Sequence, residues 1–334
     1  MRIAVVILNW NGRKLLERFL PNILQYSKEA QIYVADNAST DDSIRFCETQ
    51  YPDTVTIIQN SENGGYAKGY NDALSTITAD LYILLNSDVQ VTEGWLTPLI
   101  REFKADPLLA AAQPKIKDLQ KPSHYEYAGA GGGFLDALGY PFCRGRIFDE
   151  CEEDLGQYDE TIAIQWASGA CLFIRSEVFW EVNGFDESFF AHQEEIDLCW
   201  RIKNKGYRII ASGESSVYHL GGATLETANP QKTFYNFRNS LFSVVKNAPK
   251  NSYVFIIIAR LFLDGLAGIK FFAEAKPKHT LAIIRAHFSF YRHLRSCLKK
   301  RTSQSKRPYS QYSSIIYAYF LKGIKSYTNL LEKR

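Results

Sequence analysis

Along the first third of the chain, short runs of consecutive apolar residues alternate with stretches in which apolar residues recur every three or four positions. The runs are "IAVVIL", "QIYVAD", "TVTIIQN", "DLYILLN" and "LAAAQP", and between them stand "RKLLERFLPNIL", "DDSIRFCETQ", "AKGYNDALSTIT" and "EGWLTPLIREFKA". Runs of five or six apolar residues suit strands buried on both faces, and the intervening periodicity suits helices. Strands separated by single helices predict right-handed crossovers and an α/β fold with a mainly parallel sheet. From residue 114 to 165 the rhythm is lost, and "YAGAGGGFLDALGYPFCRGRIFDE" predicts a loop-dominated insertion over the sheet. That insertion reads either as an adaptable sugar-binding loop or as a structural cover, since aromatic residues serve both. Periodicity returns in "ACLFIRSEVFWEVNGF" and "EEIDLCWRIKNKGYRII", each predicted as a helix closing on a glycine, Gly184 and Gly206.

Composition changes this picture in two places. The 334 residues hold six cysteines without a CxxC pair or regular spacing, which argues against a disulfide scaffold and a zinc site and fits a reducing cytoplasm. The opening "MRIAVVILNW" has no small-residue cleavage site and reads as a first core strand. Second, the net charge of +3 conceals an asymmetry. Residues 246–334 carry 18 Lys and Arg against 3 Asp and Glu, a balance of +15 that leaves −12 for the remainder. The chain is thus expected to consist of a body, 1–245, and a basic helical extension, 246–334.

Polar clusters stand at the ends of four successive predicted strands: "NWNG", "ADNASTDDS", "NSENGGYAKGYN" and "NSD". Each alone reads as a turn or a helix N-cap, and Ser39 or Asp41 would suit a cap. Ligands of open α/β sheets gather beyond the carboxyl ends of the strands, so four such clusters would meet at one edge. A dinucleotide fingerprint after the first strand needs three glycines, and "NWNGRKLL" offers one. "NGGYAKGYN" lacks the lysine and hydroxyl of a P-loop.

Together "VVILNWNG", "VADNASTDDS", "NGGYAKGYNDAL", "LLNSDV", "WASGACLFIRSEVF", "GFDESFFAHQEEIDLCWRIKNKGYRI" and "VYHLGG" resemble, in order and spacing over residues 3–240, the motifs of family 2 glycosyltransferases. The resemblance implies a GT-A type nucleotide-diphospho-sugar transferase fold, with 1–113 as the donor-binding half and 114–245 as the acceptor and catalytic half. It implies inverting transfer from a UDP or dTDP sugar to a glycan or lipid-linked acceptor. "NSD" is similar to the family's Asp-x-Asp element, which makes Asp88 a ligand for Mg2+ or Mn2+, with His219 as the second ligand. The same resemblance assigns donor binding to Asn9, Asn11, Asp36, Asn37, Asn63, Gly64, Gly65, Lys68, Asn71, Asn86, Ser87 and Arg238. It assigns the acceptor side to Trp166, Ser168 and Gly169, and the catalytic carboxylates to Glu194 and Glu195, with Glu195 in the position of the base. Glu stands there in place of the commoner Asp. Without the resemblance, the acidic pair reads as a helix start that complements the macrodipole.

The stretch "YVFIIIARLFLDGLAGIKFFA" is the most apolar of the chain, but Arg260, Asp264 and Lys270 interrupt it. A spanning helix needs about 20 nearly unbroken apolar residues, so a helix lying in the bilayer interface is expected. The cationic "RAHFSFYRHLRSCLKKRTSQSKR" would add attraction to an anionic leaflet, although a helical subdomain packed on protein is the other reading. No nucleic-acid motif accompanies the charge. These readings combine into an enzyme on the cytoplasmic face of the plasma membrane, peripherally attached. The rival readings are a sugar nucleotidyltransferase, whose Gly-rich loop with Arg is missing after the first strand, and an inactive glycan- or membrane-binding protein.

Overall fold

The structure, a computed structural model, describes residues 1–221, 229–301 and 309–333. The expected alternation is present: β1 (Ile3–Asn9), α1 (Arg13–Tyr26), β2 (Gln31–Asp36), α2 (Ser43–Gln50), β3 (Val55–Gln59), α3 (Gly65–Leu74) and β4 (Leu81–Asn86). A short β5 (Val89–Val91), α4 (Thr97–Ala105) and the long β6 (Leu109–Asp118) follow. β1 pairs in parallel with β2 and with β4, and β2 pairs in parallel with β3. Helices cover both faces, which explains why the strands are apolar throughout. On β1, Ile3, Val5 and Ile7 join one core layer with Phe19 and Leu20 of α1, while Ala4 and Val6 join the other with Tyr70 and Leu74 of α3.

The second half departs from the sequence reading in two places. The insertion contains an antiparallel sheet of β7 (Gly133–Leu135), β8 (Pro141–Cys143), β9 (Arg146–Ile147) and β10 (Glu150–Cys151). After β11 (Ile162–Ala163), the stretch expected to be one helix begins as strand β12 (Cys171–Arg175) and becomes helical only in α5 (Ser176–Glu181). "CLFI" is buried on both faces between β4 and β6, and a fully apolar run does not distinguish strand from helix by its period. Helix α6 (Glu194–Asn204) and strand β13 (Arg208–His219) complete the body. Gly206 (φ 98°) follows the C-cap of α6 as expected, whereas after α5 the left-handed position next to the C-cap is taken by Asn183 (φ 64°) and Gly184 (φ 59°) comes one residue later, its amide on the Phe179 carbonyl at 2.8 Å. Among the described residues nine strands form one sheet in the order β11, β13, β6, β12, β4, β1, β2, β3, with β5 beside β13. β12 runs antiparallel to both neighbours, and the parallel ladders carry most of the pairing.

Helices α7 (Pro230–Asn247), α8 (Tyr253–Ala273), α9 (Pro277–Lys299) and α10 (Tyr327–Glu332) form the C-terminal part, and α7 runs through residue 245. Phe242 of α7 packs with Phe189 of the body and Phe290 of α9 in a third core cluster. The chain after α9 returns to the small sheet, where Tyr312 and Tyr327 meet Phe134 and Phe142 ring to ring. The Asp136 carboxylate accepts the Ile315 amide at 2.9 Å. Burial raises the Asp136 carboxyl to about 6. The insertion's aromatic residues therefore seat the C-terminal segment. No helix among the described residues is long and apolar enough to cross a membrane.

Candidate functional site

Register brings the strand-end clusters together. Asn9 lies opposite Asp36 on the β1–β2 ladder, and Leu8 lies opposite Asn86 on the β1–β4 ladder. The Asn9 amide donates to Asp36 Oδ1 at 2.9 Å and to Ser43 Oγ at 2.9 Å, and Asp36 also accepts the Ser39 amide at 2.9 Å. Asn11 has φ 51°, and its Oδ1 accepts the Thr40 amide at 2.7 Å. These bonds fasten the β1 and β2 loops to each other. Beside them Trp10 is exposed, an aromatic face at the rim that motif reading passed over.

The metal-candidate residues converge around one imidazole. β5 pairs with the end of β13, setting Val89 opposite His219 and so bringing the preceding Asp88 alongside it. His219 Nε2 lies 3.1 Å from Asp88 Oδ1 and 3.4 Å from Asn86 Nδ2, while Nδ1 lies 3.1 Å from Glu126 Oε2. Burial would lower the pKa of this imidazole, but the carboxylates of Asp88 and Glu126 outweigh it and raise the value to about 10. The described residues contain no group of three or more His, Cys, Asp or Glu side chains disposed to enclose an ion. Asp88 and His219 instead offer one hard oxygen and one nitrogen. A carboxylate behind the far ring nitrogen is the usual companion of a ligating histidine. Glu126 was not anticipated: it sits in the aperiodic "YEYAGAGGG", and only folding brings it to His219.

The catalytic candidates stand at the start of α6. Glu194 is buried, and burial together with the charge of Glu195 raises its carboxyl well above the ordinary range. Glu195 is half-buried, and burial raises it to about 7. The preceding segment is held in a rare conformation, with positive φ at Phe190, His192 and Gln193. Its carbonyls are gripped from α7: the Asn239 amide donates to the carbonyls of Phe189, Ala191 and His192 at 2.8–3.0 Å. Asn239 was missed, although a polar residue beside the buried Leu241 and Phe242 was a readable signal. Behind Glu195, Asp197 turns inward to Arg201 and Lys246 at 2.9 and 2.8 Å.

Both groups border the turn at Ser168–Ala170. The Asn86 amide donates to the Ala170 carbonyl at 3.0 Å. A side chain placed on Gly169 would lie 3.8 Å from Glu195 Cβ and 2.9 Å from the Tyr66 hydroxyl. That hydroxyl donates to the Gly169 carbonyl at 2.8 Å. Ser87 lies near Gly12 at the same edge, with its Oγ 3.9 Å from the Cβ position of that glycine.

Several sequence-assigned residues are engaged elsewhere. Arg238 donates to the carbonyls of Ser188 and Phe189 at 3.0 and 3.2 Å, holding the same loop as Asn239. Asn71 clamps Phe185, accepting its amide and donating to its carbonyl at 2.9 Å each. Lys68 pairs with Asp72. Asn63 accepts the Gly65 amide, and Asn37 donates to the Gly65 carbonyl. The bare Cα positions are also occupied: a Cβ on Gly64 would strike Lys68, and one on Gly65 would lie 2.3 Å from the Phe190 carbonyl. Trp166 is buried, with its indole N–H on the Phe134 carbonyl, and the Ser168 hydroxyl donates to the Ala128 carbonyl. Both side chains are buried with their polar atoms bonded inside the protein.

The description "Glycosyl transferase family 2" matches residues 4–182. Over 216 residues the chain is 38% identical to rhamnosyltransferase WbbL of Escherichia coli K12, covering 62% of this chain and 79% of that protein. It is 26% identical over 232 residues to the N-acetylglucosaminyl-diphospho-decaprenol L-rhamnosyltransferase of Mycobacterium tuberculosis, covering 65% and 75%. Among solved structures, S. aureus TarS 1-349 in complex with UDP-GlcNAc aligns with a TM-score of 0.55 at 14% identity, over 92% of this chain and 93% of that one. Mannosyltransferase PcManGT from Pyrobaculum calidifontis in complex with GDP-Man and Mn2+ gives 0.53 at 16%, over 90% and 83%. At such identities these likenesses show the fold alone, that of GT-A glycosyltransferases.

Proposed function

The chain belongs to glycosyl transferase family 2, and from that premise we propose that this glycosyltransferase inverts the anomeric centre of a uridine or thymidine diphosphate sugar as it extends a lipid-linked or polysaccharide acceptor. Relatives named for rhamnosyl transfer support a deoxyhexose as the group moved, and one whose name includes a diphospho-decaprenol supports a lipid-linked acceptor. The observation that carries the reading is Asp88 Oδ1 at 3.1 Å from His219 Nε2, at the sheet edge where β4 ends.

Asp88 and His219 would hold a divalent cation once the imidazole, protonated between its two carboxylates, gives up the proton on Nε2, and a donor set containing imidazole favours Mn2+ over Mg2+. When bound, that cation offsets the negative charge on the departing nucleoside diphosphate. Glu126 keeps the His219 ring oriented, and the Asn9, Asp36 and Ser39 bonds fix the loops that face the nucleotide. Glu195 is the base. Its raised pKa makes it a stronger proton acceptor than a solvated glutamate while leaving it largely ionised above neutrality. As the acceptor oxygen bonds to the anomeric carbon, its proton passes to Glu195, and the carbon–oxygen bond to the diphosphate breaks with its electron pair on the leaving group. Burial and the charge of Glu195 push Glu194 upward, so of the pair Glu194 is the member that favours its protonated form and Glu195 the one that carries the charge more readily.

The test is transfer from dTDP-rhamnose and UDP-sugars to a polyprenyl-diphosphate-sugar acceptor, with Mn2+ and after EDTA. Undiminished turnover in EDTA would refute the metal role. Unaltered turnover of Glu195→Gln would refute the base.

A further inference from the structure

Helices on a globular body normally turn polar residues to solvent and apolar residues to the core. Helix α8 does the reverse. Phe255, Ile258, Phe262, Leu266, Ile269 and Phe272 recur at intervals of three or four, so they share one face, and all of them are exposed, Phe255 at 70% and Phe262 at 68%. Two of the three charged residues that interrupt the same helix face inward, Arg260 at 2% exposed and Asp264 at 1%, while Lys270, in the last turn, is exposed and pairs with Glu274. Arg260 donates to Ser240 Oγ at 2.8 Å and lies 3.3 Å from Asp264 Oδ1. Asp264 also accepts the Tyr140 hydroxyl at 2.9 Å and lies 3.0 Å from His287 Nε2. This cluster fixes the rotation of α8. Turning the phenylalanines inward would strip a buried carboxylate and a buried guanidinium of their partners, at a large cost.

Helix α9 adds the second half of the surface. Ile284, Phe288 and Tyr291 are exposed on it, Phe288 at 73%. Lys278, Arg285, Arg292 and Lys299 recur every seven residues on one exposed face. An apolar stripe flanked by cations matches a helix pair lying at the boundary between headgroups and acyl chains. A second copy of the chain is the poorer occupant, because each copy would bring its cations, within a segment of net +15, toward the other's. We propose that the outward face of α8 and α9 rests on an anionic lipid bilayer, with the phenylalanines in the acyl boundary and the α9 cations among the headgroups. The proposal stands on this surface alone, whatever reaction the cleft performs.

The test is flotation of the full chain with vesicles of phosphatidylcholine, and of phosphatidylcholine mixed equally with phosphatidylglycerol. Wild type should float with the anionic vesicles. Phe255→Ser, Phe262→Ser and Ile269→Ser combined should weaken that binding by about a hundredfold or more. Lys278→Gln, Arg285→Gln and Arg292→Gln combined should lose about fivefold for each cation removed, on anionic vesicles only. Both variants should keep the wild-type Tm, since the changed side chains touch solvent. Wild type that stays in the lipid-free fraction, or an apolar triple variant that binds undiminished, would overturn the proposal. A lipid-free wild-type dimer that the apolar triple variant converts to monomer would also overturn it, by giving the face to a second copy.

Discussion

The body and the C-terminal helices solve opposite burial problems with the same alphabet. In β1 and β4 the apolar residues fill two core layers, and the polar residues collect at the strand ends, where Asn9, Asp36 and Asn86 share one edge. In α8 the charged pair is inside and the phenylalanines are outside. A buried charge in this protein is therefore not by itself a sign of chemistry. Asp264 and Asp197 are both buried and fully partnered, and their carboxyls are held below the usual range because neighbouring cations overcome the burial that would raise them. Among the described residues no cation pairs with Glu194 or Glu195, and burial pushes them up. Among these four carboxylates the direction of the shift follows the presence of a cation, but Asp136, raised to about 6 by burial while it seats the C-terminal segment, shows that an upward shift alone does not mark chemistry.

That contrast can be broken at its strongest point first. Glu195→Gln should lower kcat by up to about 10⁴-fold with little change in Tm, measured by sugar transfer and thermal unfolding. Asp264→Ala should do the opposite, costing about 3–5 kcal/mol of stability by leaving Arg260 buried without its partner. Denaturant unfolding reads this loss, and an unchanged midpoint would remove the distinction between the two classes. Asn239→Ala lies between them. It releases three carbonyls of the strained 189–192 segment, so kcat should fall by about tenfold as the carboxylates of α6 lose their fixed geometry, with a stability loss of about 1–3 kcal/mol.

The smallest and sharpest effect is in the pH profile. A base must be ionised to act, and Glu195 is raised to about 7, so kcat/KM should fall about tenfold per unit below neutrality. An ordinary glutamate would hold its activity down to about pH 4.3. The same shift makes the folded state bind the extra proton between these two values, so this group's contribution to stability decreases as pH rises through that window. Activity constant from pH 5 to 8 would contradict the assignment.

Much of the fold was legible because the period of a strand or helix is written locally. Four βα units and the capping glycine Gly206 could be read from runs of five to fourteen residues. "CLFI" was misread because a run buried on both faces carries no period. Within the candidate site, residues at strand ends could be located, since a parallel register must align them. Partners from distant segments could not: Glu126 reaches His219, and Asn239 reaches the 189–192 carbonyls, across loops without pattern. Arg238, Asn71 and Lys68 carried the right chemistry for a diphosphate or a cleft, but their hydrogen bonds go to protein.

The amino-acid order by itself determined the alternating layers, the polar strand ends that meet at one edge, and the accumulation of positive charge after residue 245. Only the tertiary structure decided which way α8 faces, which carboxylates have cations beside them, and which imidazole stands between Asp88 and Glu126. Periodicity records a residue's neighbours along the chain, whereas rotation of a helix and the pairing of buried charges depend on groups a hundred or more positions away, as with Tyr140 and Asp264.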